Sequence, residues 1–384
     1  MDMTTVGVLL ETAGRERRVA LTPDGAARLR KQDVEVLVEA GAGRRAWFED
    51  AGYSGAGCEV VPRLRVYAES DILVCLHPPE DVASCRPGQL LVGLLGPLGD
   101  PGLAQRLATA GVTAVSLDLL PRTLSRAQAM DALTSQANVA GYKAALLAAE
   151  AYPGFFPMLM TAAGTTRPAQ VLVLGAGVAG LQAIATARRL GAQVTGYDVR
   201  EAARADLAST GAAVLELSTP SAEAGGGYAR ELTADEAGAQ SRGLAGAVPR
   251  FDVVITTAQV PGGRAPLLVT ADALAGMRPG SVVIDLASTE SGGNVEGSVP
   301  DTRTVTDQGV TVIGAANLAS TVPAAASTAY ARNVLALLAL LMPRGEVVLD
   351  LDDEIQRAVV ISHGGRVVQP RVRALLEESK EIRS

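Results

Sequence analysis

Gly175, Gly177 and Gly180 directly follow the apolar run VLVL at 171–174 and open a helix-like stretch that reaches Leu190. A second apolar run then ends at Asp198, 23 residues past Gly175. Residues of these types at this spacing suit one kind of chemistry, the holding of a dinucleotide. Gly175 permits a tight turn, Gly177 lets a pyrophosphate approach the backbone, and Gly180 lets helix and strand pack closely. The phosphates would rest on the helix N-terminus, where N–H groups and the macrodipole favour an anion. Asp198 is placed to accept hydrogen bonds from a ribose diol and to repel a 2′-phosphate, which favours NAD(H) over NADP(H), with Arg200 close by.

A second constellation is SRAQAMDALTSQAN at 125–138. Gln128, Asp131 and Ser135 are spaced i, i+3, i+7, which would line them along one face of a helix. Acid–base and metal chemistry is otherwise sparse. His77 and His363 are the only histidines, one before Pro-Pro and one in the turn-like SHGG, and both read as surface residues. Cys58, Cys75 and Cys85 are odd in number and lack CxxC spacing, so no metal site is expected and a reducing cytoplasm is.

The elements that must carry these residues follow from composition and patterning. The chain has 384 residues, 48% hydrophobic but only 3% aromatic, so its layers pack through small aliphatic side chains, as helices on a parallel sheet do. Its length allows two domains. Strand-like runs at 6–10, 34–40, 71–76, 89–95 and 112–120 alternate with helical stretches. A second series (QVLVLGAG, AQVTGYDV, AAVLEL, FDVVITTA, GSVVIDLA, GVTVIGA) supplies six strands, enough for a doubly wound domain. The expected class is therefore α/β, with two Rossmann-like doubly wound parallel-sheet domains linked by long helices. The first covers 1–125 plus 345–384, its tail returning to it; the second covers 126–344. Between AAVLEL and FDVVITTA the link is too long for a plain connection. A helix over 231–247 leaves SAEAGGGYAR as a glycine-rich flap carrying Tyr228.

A net charge of −7 and a pI near 5.1, with no long Lys/Arg cluster, exclude a nucleic-acid surface. The most apolar run, VLALLALLM at 334–342, is half of the ~18 residues that cross a bilayer. Membrane association is therefore expected only through a partner.

Several stretches together resemble a known family. These are RVALTP (18–23), SRAQAMDALTSQANVAGYKA (125–144), FFPMLMTAAGTTRPAQVLVLGAGVAGLQAIATARRLGAQVTGYDVR (155–200), GGYAREL (226–232), DVVITTAQVPGGRAP (252–266) and RPGSVVIDLA (278–287). They are similar to the NAD(H)-binding component of proton-translocating NAD(P) transhydrogenases, over nearly the whole chain. The resemblance implies a homodimer whose chains bind NAD(H) between two domains. It also implies an NADP(H)-binding partner component, direct hydride transfer between the nicotinamides, and a membrane proton-channel component that couples transfer to proton movement. The location implied is cytoplasmic, peripheral to the inner membrane through those partners. Hydride transfer between two nicotinamides asks no proton of a side chain, so positioning is what remains.

The same resemblance places Gln128 and Asp131 at the nicotinamide, Arg122 near the carboxamide or phosphates, and Thr134 where the family has serine. It makes Tyr228 the tyrosine of a closing flap. Gly175, Gly177, Val178, Ala179 and Gly180 become the dinucleotide turn, and Asp198, Val199, Arg200, Gly227, Gln240 and Gln259 further cofactor contacts. Three places depart from the family pattern. PRTLSRAQ holds an extra residue at 123–124, DLASTESGGN (285–294) is one residue longer, and GAANLASTVP lacks the usual proline-containing loop after the asparagine. One added residue turns a helix by about 100° or reverses the facing of a strand, so Arg122 is the assignment most affected.

Alanine dehydrogenases share the fold and are the competing reading. Arg18 would suit a substrate carboxylate. Where those enzymes place a lysine, however, this chain has Cys75, and where they place a catalytic histidine it has Gly96 and Pro97. A non-catalytic NAD-binding subunit is the third reading.

Overall fold

The computed structural model describes residues 3–217, 230, 232–259 and 264–381. The chain divides into two compact units, Met1–Gln136 with Val322–Ser384, and Ala137–Thr321.

The first unit is built on strands β1 (Thr5–Val8), β2 (Glu35–Glu39), β3 (Glu59–Val61), β4 (Ile72–Val74), β5 (Leu90–Gly93) and β6 (Thr113–Ser116). They lie side by side in the order 3-2-1-4-5-6, all parallel. β1, β4, β5 and β6 are buried along their whole length, as a parallel sheet covered on both faces requires. The tail extends this sheet, with Val360–His363 antiparallel to β6 and Arg366–Val367 antiparallel to it in turn. β3 has no counterpart in the sequence reading, because three residues, one of them an exposed glutamate, carry no periodic signal.

Helix Pro323–Leu341 belongs with this unit and not, as patterning suggested, with residues 126–344. Its Tyr330, Val334, Leu337 and Leu338 are fully buried in one cluster with Val6, Val19, Leu21 and Val38. The VLALLALLM run lies mostly within it. At 19 residues it is, among the described residues, the one helix long and apolar enough to cross a membrane by length and composition, and half of its apolar window is buried in the protein. The apolar residues face a core, which accounts for their number.

The second unit carries the exposed hairpin β7 (Leu159–Thr161) and β8 (Gly164–Thr166). Its main strands are β9 (Gln170–Leu174), β10 (Gln193–Tyr197), β11 (Ala213–Val214), β12 (Val253–Thr256), β13 (Val282–Asp285), β14 (Arg303–Val305) and β15 (Thr311–Gly314). Their order is 11-10-9-12-13-15-14, parallel except for the antiparallel edge strand β14. The winding reverses between β9 and β12. Ligands bind at such a switch point, outside the carboxyl ends of the strands.

Candidate functional site

The glycine turn occupies the switch point of the second sheet. Gly175, at φ +107°, leaves β9 in a conformation that only glycine adopts readily, and a Cβ there would lie 2.6 Å from Thr257 Oγ1 beyond β12. A Cβ on Gly180 would fall 1.8 Å from the carbonyl oxygen of Gly175, so the first turn of helix Val178–Arg189 presses on the turn backbone. Gly177 is the opposite case. It is exposed, and a Cβ on it would meet nothing within 4 Å. Two glycines are therefore required by packing, while the third leaves open space beside a helix N-terminus that no side chain caps. That arrangement fits a pyrophosphate, with Val178 and Ala179 in the first turn of the helix.

Asp198 ends β10 beside this turn. Its Oδ2 accepts the Ala176 N–H at 2.8 Å, and its Oδ1 accepts the Arg200 N–H at 2.9 Å. The Arg200 guanidinium adds a two-pronged pair at 2.9 Å on each prong. Burial opposes the charge, but the guanidinium and the two backbone N–H groups outweigh it and hold the Asp198 carboxyl below its ordinary range. Val199 is half-buried in the same bend. Gln240, on helix Ala234–Ala247, is buried and donates to the Tyr197 hydroxyl at 3.1 Å; Gln259 is exposed and donates to the Leu286 carbonyl at 3.2 Å. Gly227 and Tyr228 lie outside the described residues.

Sequence reasoning passed over Asn294 and Asp285, which shape the far side of this crevice. Asn294 is fully buried; it accepts the Ala258 N–H at 3.0 Å and donates to the carbonyls of Ala258 and Pro266 at 2.9 and 2.7 Å, fixing the chain after β12. Asp285, also fully buried, accepts from Thr256 Oγ1 and the N–H groups of Ala287 and Val295. The available signal was an acidic residue at the end of a valine-rich strand, the same signal that marked Asp198. The extra residue of DLASTESGGN is absorbed in a tight turn, where Thr289 and Gly292 exchange backbone hydrogen bonds at 2.9 and 3.0 Å.

In the first unit the structure brings Arg122, Asp131 and Thr134 together. Arg122 Nε donates to Asp131 Oδ2 at 2.9 Å and its Nη2 to Thr134 Oγ1 at 2.6 Å; Thr134 Oγ1 donates to the same Asp131 oxygen at 2.6 Å. The extra residue sits in a turn closed by Leu124 N–H on the Pro121 carbonyl, so Arg122 still reaches its partners. The expected single helical face is not formed. Gln128 is exposed on a 3₁₀ helix, Ser125–Met130, and helix Ala132–Ala151 begins only after Asp131. The reason is a cap: Asp131 Oδ1 accepts the Thr134 N–H at 2.8 Å, which starts a new helix and turns the chain at Asp131. Ser135 points to Asn333, at 2.7 Å.

The switch point of the first sheet holds a cluster that the sequence reading did not anticipate. A cleft of about 420 Å³ there is lined by Leu10, Glu11, Arg63, Tyr67, Cys75 and His77 among others. Buried Glu11 accepts the N–H groups of Leu76 and His77 at 2.6 and 3.2 Å. Glu16, 1% exposed, accepts from Arg18 at 2.7 and 2.8 Å and from the His77 ring at 2.9 Å. His77 is thus tied to a buried carboxylate instead of lying idle at the surface. Burial opposes the Glu16 charge, yet hydrogen bonds from Arg18 and His77 hold its carboxyl well below the ordinary range; burial pushes that of Glu11 up. Arg18 also donates to Gln136 at 2.8 Å. Cys75 is buried and its thiol is pushed well up by burial, so it offers no proton acceptor. Among the described residues no cluster of three or more His, Cys, Asp and Glu side chains is arranged to hold a metal.

Two doubly wound sheets, one bearing a glycine turn at its switch point, define a two-unit Rossmann-like α/β protein. Residues 7–140 match the alanine dehydrogenase/PNT N-terminal domain and residues 144–370 the alanine dehydrogenase/PNT C-terminal domain, so the chain belongs to the alanine dehydrogenase/PNT family. An NAD(P) transhydrogenase subunit alpha protein of Rickettsia prowazekii is 40% identical over 96% of this chain and 97% of its own length. The crystal structure of transhydrogenase from Sinorhizobium meliloti superposes with a TM-score of 0.83 at 38% identity, covering 95% of this chain and 99% of that one. An L-alanine dehydrogenase structure follows with a TM-score of 0.80 at 26% identity, covering 98% and 99%.

Proposed function

We propose that this chain is the NAD(H)-binding subunit of a proton-translocating NAD(P) transhydrogenase. In this reading NAD(H) is a substrate, and its chemistry is direct hydride exchange with NADP(H) held by a partner component, coupled to proton movement by a membrane component. The observation that carries the reading is the division of labour among the glycines: Gly175 and Gly180 are demanded by packing, whereas Gly177 leaves room only a ligand would use.

The protein's own contribution is binding and placement. The turn at Gly177, Val178 and Ala179 takes the pyrophosphate, Asp198 the adenosine ribose, and Gln240, Gln259 and Val199 support that end. Gly227 and Tyr228 are assigned to the flap. Gln128, Asp131, Arg122 and Thr134 orient the nicotinamide. Asp131 is engaged by Arg122, Thr134 and a helix cap, which suits a group that holds a shape and exchanges no proton. The exposed hairpin supports a homodimer: Met158 and Met160 are 56% and 74% exposed, and an isolated two-stranded sheet is marginal in water. Met160→Asp should then shift the dimer toward monomer in light scattering. The subunit would work at the cytoplasmic face of the inner membrane, held there by its partners.

One observation favours a second reading, an alanine dehydrogenase-like oxidoreductase: His77, paired with buried Glu16, borders a cleft. Mixing the purified chain with an NADP(H)-binding transhydrogenase component and following hydride transfer to an NAD analogue separates the readings. Transfer supports the proposal. Alanine-dependent NAD reduction by the chain alone supports the dehydrogenase, and NADH binding without turnover in either assay a non-catalytic subunit.

A further inference from the structure

The hydrogen bonds of Asp198 leave its carboxylate with no acceptor position to spare. A carboxylate offers about four lone-pair sites, two on each oxygen. Oδ1 takes the Arg200 backbone N–H and Arg200 Nε; Oδ2 takes the Ala176 N–H and Arg200 Nη2, all at 2.8 to 2.9 Å. The Asp198 side chain is 8% exposed, beneath an Arg200 side chain that is itself 20% exposed. The two backbone donors belong to the fold of the bend. The two guanidinium donors can leave by side-chain rotation alone.

We propose that the Arg200 guanidinium occupies the two acceptor positions through which Asp198 receives a ribose diol, and that the diol binds by displacing it. The proposal rests on the NAD(H) reading above and assigns Arg200 the opposite sign from a cofactor contact: it lowers nucleotide affinity. The stereochemistry matches, because the guanidinium fork places one N–H on each oxygen and a diol brings one O–H for each. It also sharpens selectivity. A 2′-phosphate carries acceptors and negative charge where a donor is needed, so it cannot replace the fork and is repelled by the carboxylate it uncovers.

The test is NADH affinity by titration calorimetry on the full chain. Arg200→Ala and Arg200→Gln keep the backbone N–H to Oδ1 and remove the fork, and their far-UV circular dichroism and melting check that the bend survives. Both should bind NADH roughly tenfold more tightly than the unmodified chain. In an Asp198→Asn background, where no carboxylate attracts the guanidinium, Arg200→Ala should give no such gain. If folded Arg200 variants bind NADH equally or more weakly while Asp198→Asn weakens binding, the proposal is overturned and the NAD(H) reading stands. If the unmodified chain and all variants fail to bind NADH, that reading falls and takes this one with it.

Discussion

Counted over their main parallel strands, the two sheets share the order 3-2-1-4-5-6, yet their crevices are filled in opposite ways. The parallel extends to side chains. Glu39 ends β2 as Asp198 ends β10, and each accepts a backbone N–H from the segment after the first strand, Leu10 at 2.9 Å and Ala176 at 2.8 Å. Each also meets an arginine, Arg63 at 2.9 Å in one sheet and Arg200 in the other. The difference lies at the turn. After β9 stands Gly177, with open space beside backbone N–H groups. After β1 stands Glu11, whose own carboxylate takes the N–H groups of Leu76 and His77 after β4. One topology thus builds a crevice that attracts anions twice. A glycine leaves it for a ligand, and an internal carboxylate closes it.

Substitutions in the two crevices should therefore fail differently. The largest effect is expected for Gly180→Val, whose Cβ would sit 1.8 Å from a backbone carbonyl oxygen. The backbone cannot yield that far, so the second unit should lose more than about 4 kcal/mol and NADH binding with it, read by denaturant melts and titration. Next comes Glu16→Gln in the first unit, which leaves the buried Arg18 without its carboxylate. It should destabilise by about 3–5 kcal/mol in urea melts. Gly177→Ala is the discriminating variant. Its methyl meets no protein atom, so stability should stay within about 0.5 kcal/mol while NADH affinity falls roughly tenfold or more. Unchanged affinity in that variant would break the comparison.

Acid should give the smallest, graded effect. Because the Glu16 carboxyl is held below its ordinary range in the folded chain, its contribution is complete above the unfolded pKa of about 4.3 and is lost as pH falls below it. Asp198 has the same sign. Glu11, raised by burial, has the reverse sign: its protonated form favours the fold, and that contribution fades as pH rises through its folded pKa. Glu16→Gln should accordingly flatten the loss of stability between about pH 5 and pH 3.

Much of the second crevice is legible in the sequence, because its glycines, helix and terminal aspartate lie within one continuous stretch. The first crevice is not. Glu11 and His77 are 66 positions apart, Arg18 and Gln136 are 118 apart, and nothing local ties either pair. His77 reads as a surface residue because the buried partner of its ring, Glu16, comes from a distant segment. The helical face expected through Gln128, Asp131 and Ser135 fails for a local reason, since an aspartate at the right place caps a new helix as readily as it continues an old one.

By itself the sequence determined the alternation of strands and helices, the glycine turn and the residue that terminates β10, because these depend on backbone freedom and periodicity over short spans. Tertiary structure decided which crevice stays open, that Arg200 rather than solvent covers Asp198, and that the most apolar helix is a core element of the first unit. Those outcomes depend on which polar groups from distant segments find each other once water is excluded, and spacing along the chain does not encode that pairing.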